Sequence, residues 1–203
     1  MTGQVGAPNV SRETLQRLDI YESLLIKWNP KINLVSRNSL QDLRTRHFAD
    51  SIQLYTLAPP DGHWCDLGSG GGFPGLIAAI LAAEAPEPRQ MTLIESDQRK
   101  AAFLRTAIRE TGVHCTVLCE RIEQAAPQAA QVLSARALAD LSTLLGFANR
   151  HLAPGGLALF PKGVSWKKEV EAARQEWSFD CLPIKSETEP AAAILSITGV
   201  KRV

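Results

Sequence analysis

The sequence predicts an α/β domain with a parallel sheet, preceded by a helical cap. After Gly62, short apolar runs alternate with segments of helical periodicity, a pattern typical of consecutive βαβ units. A glycine-rich segment follows the first apolar run directly, as expected between a first strand and its helix. We expect residues 1–60 to form the cap and residues 61–203 a single compact core, because 203 residues suit one domain with an appendage.

Two helices are predicted in the cap. Apolar residues recur every three or four positions from Ser11 to Trp28, which indicates an amphipathic helix with Ser11 as its N-cap. Pro30 is expected to break this helix. A second helix is predicted from Ser39 to about Tyr55, before the turn residues at 59–62 close the cap.

The core is predicted to contain seven strands. Five of them are expected at 63–67, 91–95, 113–119, 132–135 and 157–160, with helices at 75–85, 97–111 and 141–152. Turn residues at 153–156 separate the last of these helices from its strand. A helical stripe of Trp166, Val170, Ala173 and Trp177 follows, and segments 181–184 and 192–198 are expected to form an antiparallel hairpin.

The composition disfavours several classes of protein. The longest apolar stretch, at 76–83, is too short to cross a bilayer, and residues 1–10 lack the features of a signal peptide, so we predict a cytoplasmic protein without a membrane partner. The four cysteines form no CxxC pair and no histidine stands at ligand spacing beside them, so neither a metal site nor a disulfide framework is predicted. Buried, reduced thiols are expected instead.

The segment from Asp66 to Gly75 is the first candidate site. It joins the predicted first strand to a helix, at the carboxyl edge of the sheet where Rossmann-like folds bind ligands. Glycines allow a sharp turn and a close approach to a ligand, and the amides at the helix start attract anionic groups.

Three ligand classes compete for this loop. No Lys-Ser or Lys-Thr pair follows the glycines, which disfavours a P-loop nucleotide site. A dinucleotide site fits Gly70, Gly72 and Gly75, with Glu95 roughly 20 residues downstream. Asp66 favours S-adenosylmethionine instead, because its carboxylate would repel a pyrophosphate and attract the ammonium of a methionine moiety. A plain turn, with Asp66 as a helix cap and Glu95 at a solvated strand end, is the alternative without a ligand.

Further segments carry a more specific signal. They are KWNPKINL at 27–34, RHFADS at 46–51, FPG at 73–75, RKAAFLR at 99–105, SARA at 134–137 and PKG at 161–163. Together they resemble the RsmG (GidB) family, from about residue 20 to the C-terminus. The resemblance implies a seven-stranded, class I S-adenosylmethionine-dependent methyltransferase that modifies guanine N7 in 16S rRNA, in the 530 loop.

The loop argument and the resemblance together give a set of candidate residues. The predicted cofactor-binding residues are Asp66, Gly68, Gly70, Phe73, Glu95, Ile122, Glu123 and Arg136. Glu95 stands where the family more often has Asp. The resemblance also places Arg136 beside both the cofactor and the target base, and we predict it as the catalytic residue.

The residues present fit methylation at a ring nitrogen without a proton. Guanine N7 carries a lone pair, so its attack needs alignment and no general base. The motif that such folds use for exocyclic amines is missing, and Ser134-Ala135-Arg136-Ala137 stands in its place. Arg136 can donate to guanine O6 or to a phosphate, although a surface ion pair is its alternative role. Phe73 either stacks on the base or seals the core.

The partner implied is 16S rRNA or the 30S particle, bound by a monomer. A net charge of only +1 gives no global signature of nucleic-acid binding, so this prediction depends on local clusters. The predicted RNA-binding residues are Lys31, Arg46, Arg99, Arg121 and Lys162. His47 and Asp50 are expected to form a structural pair between cap and core. An NAD-dependent oxidoreductase and a non-catalytic RNA-binding factor are the two rival functions.

Overall fold

The structure, a computed structural model, describes residues 10–36, 40–87 and 89–203. Its centre is a seven-stranded sheet, as predicted, with the order β3-β2-β1-β4-β5-β7-β6. The strands are β1 (Trp64–Leu67), β2 (Met91–Ile94), β3 (Thr116–Leu118), β4 (Ala130–Ala135), β5 (Leu152–Lys162), β6 (Trp177–Lys185) and β7 (Ala193–Arg202). The helices are α1 (Arg12–Ile32), α2 (Ala49–Leu57), α3 (Gly75–Ala82), α4 (Gln98–Thr111), α5 (Leu141–His151) and α6 (Trp166–Ala173), with a π-helical segment (Leu43–Phe48) directly before α2.

Strands β1 to β5 are parallel, and β7 pairs antiparallel with both β5 and β6. The predicted final hairpin is therefore confirmed. Every residue of β1 and β2 is buried, as expected for strands covered by helices on both faces. Because β1 lies between β2 and β4, the strand order reverses there, and the crevice of the sheet opens beyond the carboxyl end of β1.

The two faces of the sheet have separate apolar clusters. One cluster contains buried residues of α1, α3 and α4, including Tyr21 and Phe103. The other contains buried residues of α5 and α6 together with Trp177 and Phe160. Helix α1 packs on α3 and α4, so the N-terminal segment covers one layer of the sheet's helices.

The first predicted helix is longer than expected. The Ser11 side chain accepts from the Thr14 amide, which confirms the N-cap, but α1 continues through Pro30 to Ile32. Pro30 lies in the last turn, which is closed by bonds from Asn33 N to Asn29 O (3.0 Å) and from Val35 N to the Asn29 side chain (2.8 Å). These bonds stabilise the turn around the proline.

Other boundaries also differ from the predictions. The second cap helix begins as the π-helical segment, and its predicted start at Ser39 lies outside the described residues. Strand β5 begins at Leu152, which pairs with Ala130, so residues 153–156 form an irregularity within the strand and not a connecting turn. Trp177 opens β6, because α6 ends at Ala173 and the chain turns before Trp177 packs.

Some other features bear on the function. The four cysteines are free thiols, but only Cys65 is buried; the other three are partly exposed, contrary to expectation. In the part of the chain that the structure describes, no helix is long and apolar enough to cross a membrane. Nor do the described residues contain a group of three or more His, Cys, Asp or Glu side chains suited to a metal ion.

Candidate functional site

The glycine loop after β1 has the backbone that its sequence predicts. Gly68, Gly70 and Gly72 have φ angles of +62°, +53° and +98°, which side chains other than glycine rarely adopt. A Cβ atom on Gly68 would lie 2.6 Å from Leu138 Cδ1. The loop therefore needs glycine for its turn, and Gly68 also packs closely against Leu138 in the segment after β4.

Asp66 lies beneath this loop and is fully buried. Its Oδ1 accepts from the Ser134 hydroxyl at 2.6 Å, whereas Oδ2 has no hydrogen-bond partner among the described residues. A Cβ atom on Gly75 would lie 2.6 Å from the Asp66 Cβ, so α3 packs directly on this carboxylate. Burial raises the pKa of Asp66 to about 6, although the hydrogen bond from Ser134 opposes the shift.

Glu95 is a second buried carboxylate, at the end of β2. Its Oε2 accepts from the Gly70 amide and its Oε1 from the Asp97 amide, each at 2.8 Å. These bonds contradict the alternative of a solvated strand end. Each oxygen keeps a further lone pair for a ligand hydroxyl.

Glu95 lines a cavity of about 420 Å³, here called the Glu95 cavity. Its wall brings together most of the predicted cofactor-binding residues, namely Gly68, Gly70, Glu95, Ile122, Glu123 and Arg136. Leu138 and Phe147 add apolar surface to the same wall. Two predicted cofactor-binding residues, Asp66 and Phe73, do not line it.

A second cavity, of about 520 Å³, adjoins the first and is here called the Asp50 cavity. Its wall comes from the π-helical segment and α2, the glycine loop, the end of β5 and the segment between β6 and β7. Gly68, Gly70, Arg136 and Ala137 line both cavities, so the two spaces meet at the carboxyl end of β4.

Arg136 is the side chain at this junction. Its Cζ lies 4.8 Å from the centroid of the Phe73 ring, and its Nη1 lies 2.6 Å from His47 Nδ1 and 3.8 Å from Asp50 Oδ2. Its side chain is only 17% exposed, which excludes the alternative of a solvated surface ion pair. Phe73 is buried behind the guanidinium and stacks on His47, so it seals the wall of the Asp50 cavity.

His47 and Asp50 do not form the direct pair that was expected. Both contact Arg136 instead. Burial, together with the nearby charges of Arg136 and Arg46, lowers the pKa of His47 to about 4, so the imidazole is neutral near pH 7.

The predicted RNA-binding residues are not gathered in one place. Arg46 lines the Asp50 cavity and Arg121 lines the Glu95 cavity. Lys31 and Arg99 are exposed but line neither cavity, and Arg99 pairs with Asp97 at 3.1 Å. Lys162 lines the Asp50 cavity, but its ammonium bonds Ala139 O at 2.8 Å and Glu169 at 2.6 Å. These bonds hold the segment after β4, so Lys162 is not a free phosphate-binding charge.

Sequence reasoning missed three residues that contribute to the site. Tyr21, on the buried face of α1, donates a hydrogen bond from its hydroxyl to the Gly71 carbonyl and so joins the cap to the glycine loop. Thr188 and Glu189, between β6 and β7, line the Asp50 cavity. The helical stripe marked Tyr21 only as a core residue, and nothing in segment 186–192 indicated a cavity.

Solved structures identify the class of this fold. M. jannaschii TYW2 in complex with AdoMet has a TM-score of 0.59 at 12% identity, over 86% of this chain and 80% of that one. A SAM-dependent methyltransferase from Aquifex aeolicus has a TM-score of 0.59 at 10% identity, over 87% of this chain and 97% of that one. The fold is thus that of the Rossmann-like, class I S-adenosylmethionine-dependent methyltransferases, as predicted.

Sequence comparison then identifies the family. Residues 14–191 match the family model GidB, described as rRNA small subunit methyltransferase G. The chain is 60% identical over 195 residues to the ribosomal RNA small subunit methyltransferase G of Ruegeria pomeroyi, which covers 96% of each protein. The chain belongs to the rRNA small subunit methyltransferase G family, and the resemblance found in its motifs is confirmed.

Proposed function

We propose that this protein transfers the methyl group of S-adenosylmethionine to N7 of a guanosine in the 530 loop of 16S rRNA. The observation that carries the proposal is the meeting of two cavities at Arg136. The Glu95 cavity has a carboxylate and an apolar wall suited to the cofactor, and the Asp50 cavity has room for a nucleobase. Membership of the rRNA small subunit methyltransferase G family supports the RNA substrate.

The Glu95 cavity fits S-adenosylmethionine. Ligand cavities typically measure roughly 300–1,000 Å³, and this one, at about 420 Å³, lies within that range. Glu95 would accept from the ribose hydroxyls, Ile122 and Glu123 would flank the adenine, and Gly68 and Gly70 permit a close approach. When bound, the cofactor supplies an electrophilic methyl group on a sulfonium.

Asp66 has a different role in this proposal from the one its position in the sequence suggested. Its carboxylate is sealed under the glycine loop and does not line the cavity. We therefore do not propose that Asp66 contacts the ammonium of the cofactor directly. Asp66 would instead support the loop and add negative potential beneath it.

The Asp50 cavity would hold the target guanine. Arg136 is donor-only and lies at the junction, where its guanidinium can bond O6 and orient N7 toward the Glu95 cavity. N7 has no proton to lose, so the reaction needs no general base. His47 fits this requirement, because its Nδ1 faces Arg136 and its Nε2 is buried.

The RNA would approach across the mouths of both cavities. Arg46 and Arg121 would contact phosphates at the rims of the cavities, with the exposed Lys31 and Arg99 binding more distant parts of the RNA.

We propose residues 1–60 as a cap on a core of 61–203. We also propose that the protein acts as a monomer, because one chain supplies both cavity walls. Its proposed location is the cytoplasm.

The direct test is methyl transfer with radiolabelled S-adenosylmethionine. We expect label in 16S rRNA when the methyl acceptor is 30S particles lacking the modification, and we expect 7-methylguanosine after nuclease digestion. Unmodified 50S particles serve as the matched control and should remain unlabelled. Label in another nucleoside, or none in either particle, would contradict the proposed function. Naked 16S rRNA assayed in parallel shows whether the assembled particle is required.

A further inference from the structure

The guanidinium of Arg136 is held by two side chains of the cap. Arginine is a long side chain with many rotamers, so a fixed position requires partners. Nη1 contacts His47 Nδ1 at 2.6 Å and lies 3.8 Å from Asp50 Oδ2. Both partners come from the segment 46–51, which the motif RHFADS occupies. We propose that His47 and Asp50 are positioning residues, which fix Arg136 at the junction of the two cavities.

The contact with His47 defines the tautomer of the imidazole. A guanidinium only donates hydrogen bonds, so Nδ1 must be the acceptor and the proton must be on Nε2. That Nε2 is buried without a hydrogen-bond partner among the described residues. An unpaired buried donor destabilises the folded state. The hydrogen bond that Nδ1 accepts from Arg136 offsets this loss of stability. An apolar residue of the same size would not accept that hydrogen bond.

Asp50 supplies the charge that faces the buried cation. Its side chain is 20% exposed, and its other carboxylate oxygen, Oδ1, accepts from the Thr188 hydroxyl. Thr188 lies between β6 and β7, and Gln53 reinforces the same connection with bonds to Lys185 O (2.8 Å) and Glu187 N (3.1 Å). The carboxylate is thus fixed from α2 and from the opposite wall of the Asp50 cavity.

These contacts engage only one end of the guanidinium. Within the described ranges, no residue hydrogen-bonds Arg136 Nη2 or Nε. The remaining donors of a residue that lines both cavities are therefore left for a substrate, and a fixed guanidinium is the condition for aligning a base in a reaction that needs no proton transfer. The effect of these contacts on catalysis rests on the proposed function. The contacts that fix Arg136 are present in the protein alone.

The first experiment measures methyl transfer by matched variants. Asp50→Asn and His47→Phe should each lower kcat by roughly 10- to 100-fold, since small displacements of an aligning group have effects of this size. His47→Asn should recover most of the loss, because its Oδ1 stands near the position of Nδ1. Asp19→Asn is the control, since Asp19 pairs with Arg44 on the outer surface of the cap. The affinity for S-adenosylmethionine should stay within about twofold throughout, because neither residue lines the Glu95 cavity.

A double-mutant comparison separates positioning from a general structural role. If Asp50 acts through Arg136, Asp50→Asn should cause no further loss in an Arg136→Ala background. An additive loss in that background, or full activity of Asp50→Asn alone, would overturn the proposal.

A second measurement does not depend on activity. The Nε–H signal of Arg136 in ¹⁵N NMR, assigned with Arg136→Lys, should report a restricted side chain in the wild type and in Asp19→Asn. The same signal should report a mobile side chain in Asp50→Asn and His47→Phe. Unchanged mobility in both variants would also overturn the proposal. A restricted Arg136 in a wild-type protein without methyl transfer would instead contradict the proposed function and leave the positioning role supported.

Discussion

Arg136 is the residue on which both cavities converge. Its position follows from the end of β4, and its partners come from the cap, more than 80 residues earlier in the chain. Burial lowers its pKa, but an arginine remains protonated at neutral pH, so the site keeps one fixed cation between its two spaces. That cation is suited to an electron-rich base edge such as guanine O6.

Replacing Arg136 should separate binding from turnover. We expect Arg136→Ala to retain its affinity for S-adenosylmethionine and to lose about 100-fold or more in kcat, the usual effect of removing one aligned donor. Calorimetry and single-turnover assays measure the two quantities. Arg44→Ala, which removes an arginine paired on the outside of the cap, is the control and should keep normal activity. Equal kinetics for Arg136→Ala and the wild type would remove Arg136 from the site.

Asp66 should make stability depend on pH in an unusual direction. Its pKa is about 6 in the folded protein against an ordinary value of 3.8, so the folded state binds more protons between these values. The free energy of unfolding of the wild type should therefore fall as the pH rises from about 4 to 6. Asp66 should account for a decrease on the order of 3 kcal/mol.

Asp66→Asn should not show this pH-dependent decrease in the free energy of unfolding, since it removes the buried charge and keeps an acceptor for Ser134. Chemical denaturation at several pH values measures the difference between variant and wild type. That difference should be greatest above pH 6 and should shrink as the pH falls toward 4. A constant difference across this range would contradict the assigned burial of the charge.

At the level of elements, the link between α1 and the glycine loop is the least expected feature. Tyr21 is fully buried, and its hydroxyl bonds the Gly71 carbonyl. A Cβ atom on Gly72 would lie 2.7 Å from that hydroxyl, so the loop and the helix fit closely. The cap therefore supports the loop at Gly71 and Gly72, which do not line the Glu95 cavity.

Tyr21→Phe should weaken both the fold and the cofactor site. The Gly71 carbonyl loses its buried donor, and an unpaired group of this kind costs about 1–3 kcal/mol. We expect a lower melting temperature and a several-fold weaker affinity for S-adenosylmethionine. Tyr55→Phe is the matched control, since the Tyr55 ring stacks on Trp64 and its hydroxyl has no hydrogen bond among the described residues. Cofactor affinity unchanged in Tyr21→Phe would show that the link does not reach the site.

The elements also show what the sequence can and cannot predict. Hydrophobic periodicity located the strands of the core because each is a short apolar run between polar turns. It failed at Pro30, at Leu152 and at Trp177, where the boundary depends on side-chain caps, strand pairing or packing from distant parts of the chain. Such partners are invisible in a local pattern.

At the scale of the whole molecule, prediction of the site from the sequence has the same limit, because distant partners are invisible in a local pattern. The positions of Glu95 and Arg136 at the carboxyl edge were predictable because topology brings strand ends together, whereas the role predicted for Arg136 came from the family resemblance. The burial of Asp66 and the engagement of Lys162 by Glu169 were not predictable, because each depends on packing against another layer. The wall formed by Thr188 and Glu189 belongs to the same group, since the antiparallel hairpin returns it to the cavity.

Ligand specificity is the property of the whole molecule on which the account depends. The glycine loop, the buried carboxylate of Glu95 and the apolar wall around Ile122 form the cavity in which we expect S-adenosylmethionine to bind in preference to a dinucleotide, in keeping with the family to which the chain belongs. Isothermal titration calorimetry tests this preference most directly. We predict that S-adenosylmethionine and its demethylated product each bind at one site per chain, that Glu95→Ala weakens both, and that NAD gives no binding heat. Tight binding of NAD, with no uptake of S-adenosylmethionine or its product, would contradict the account.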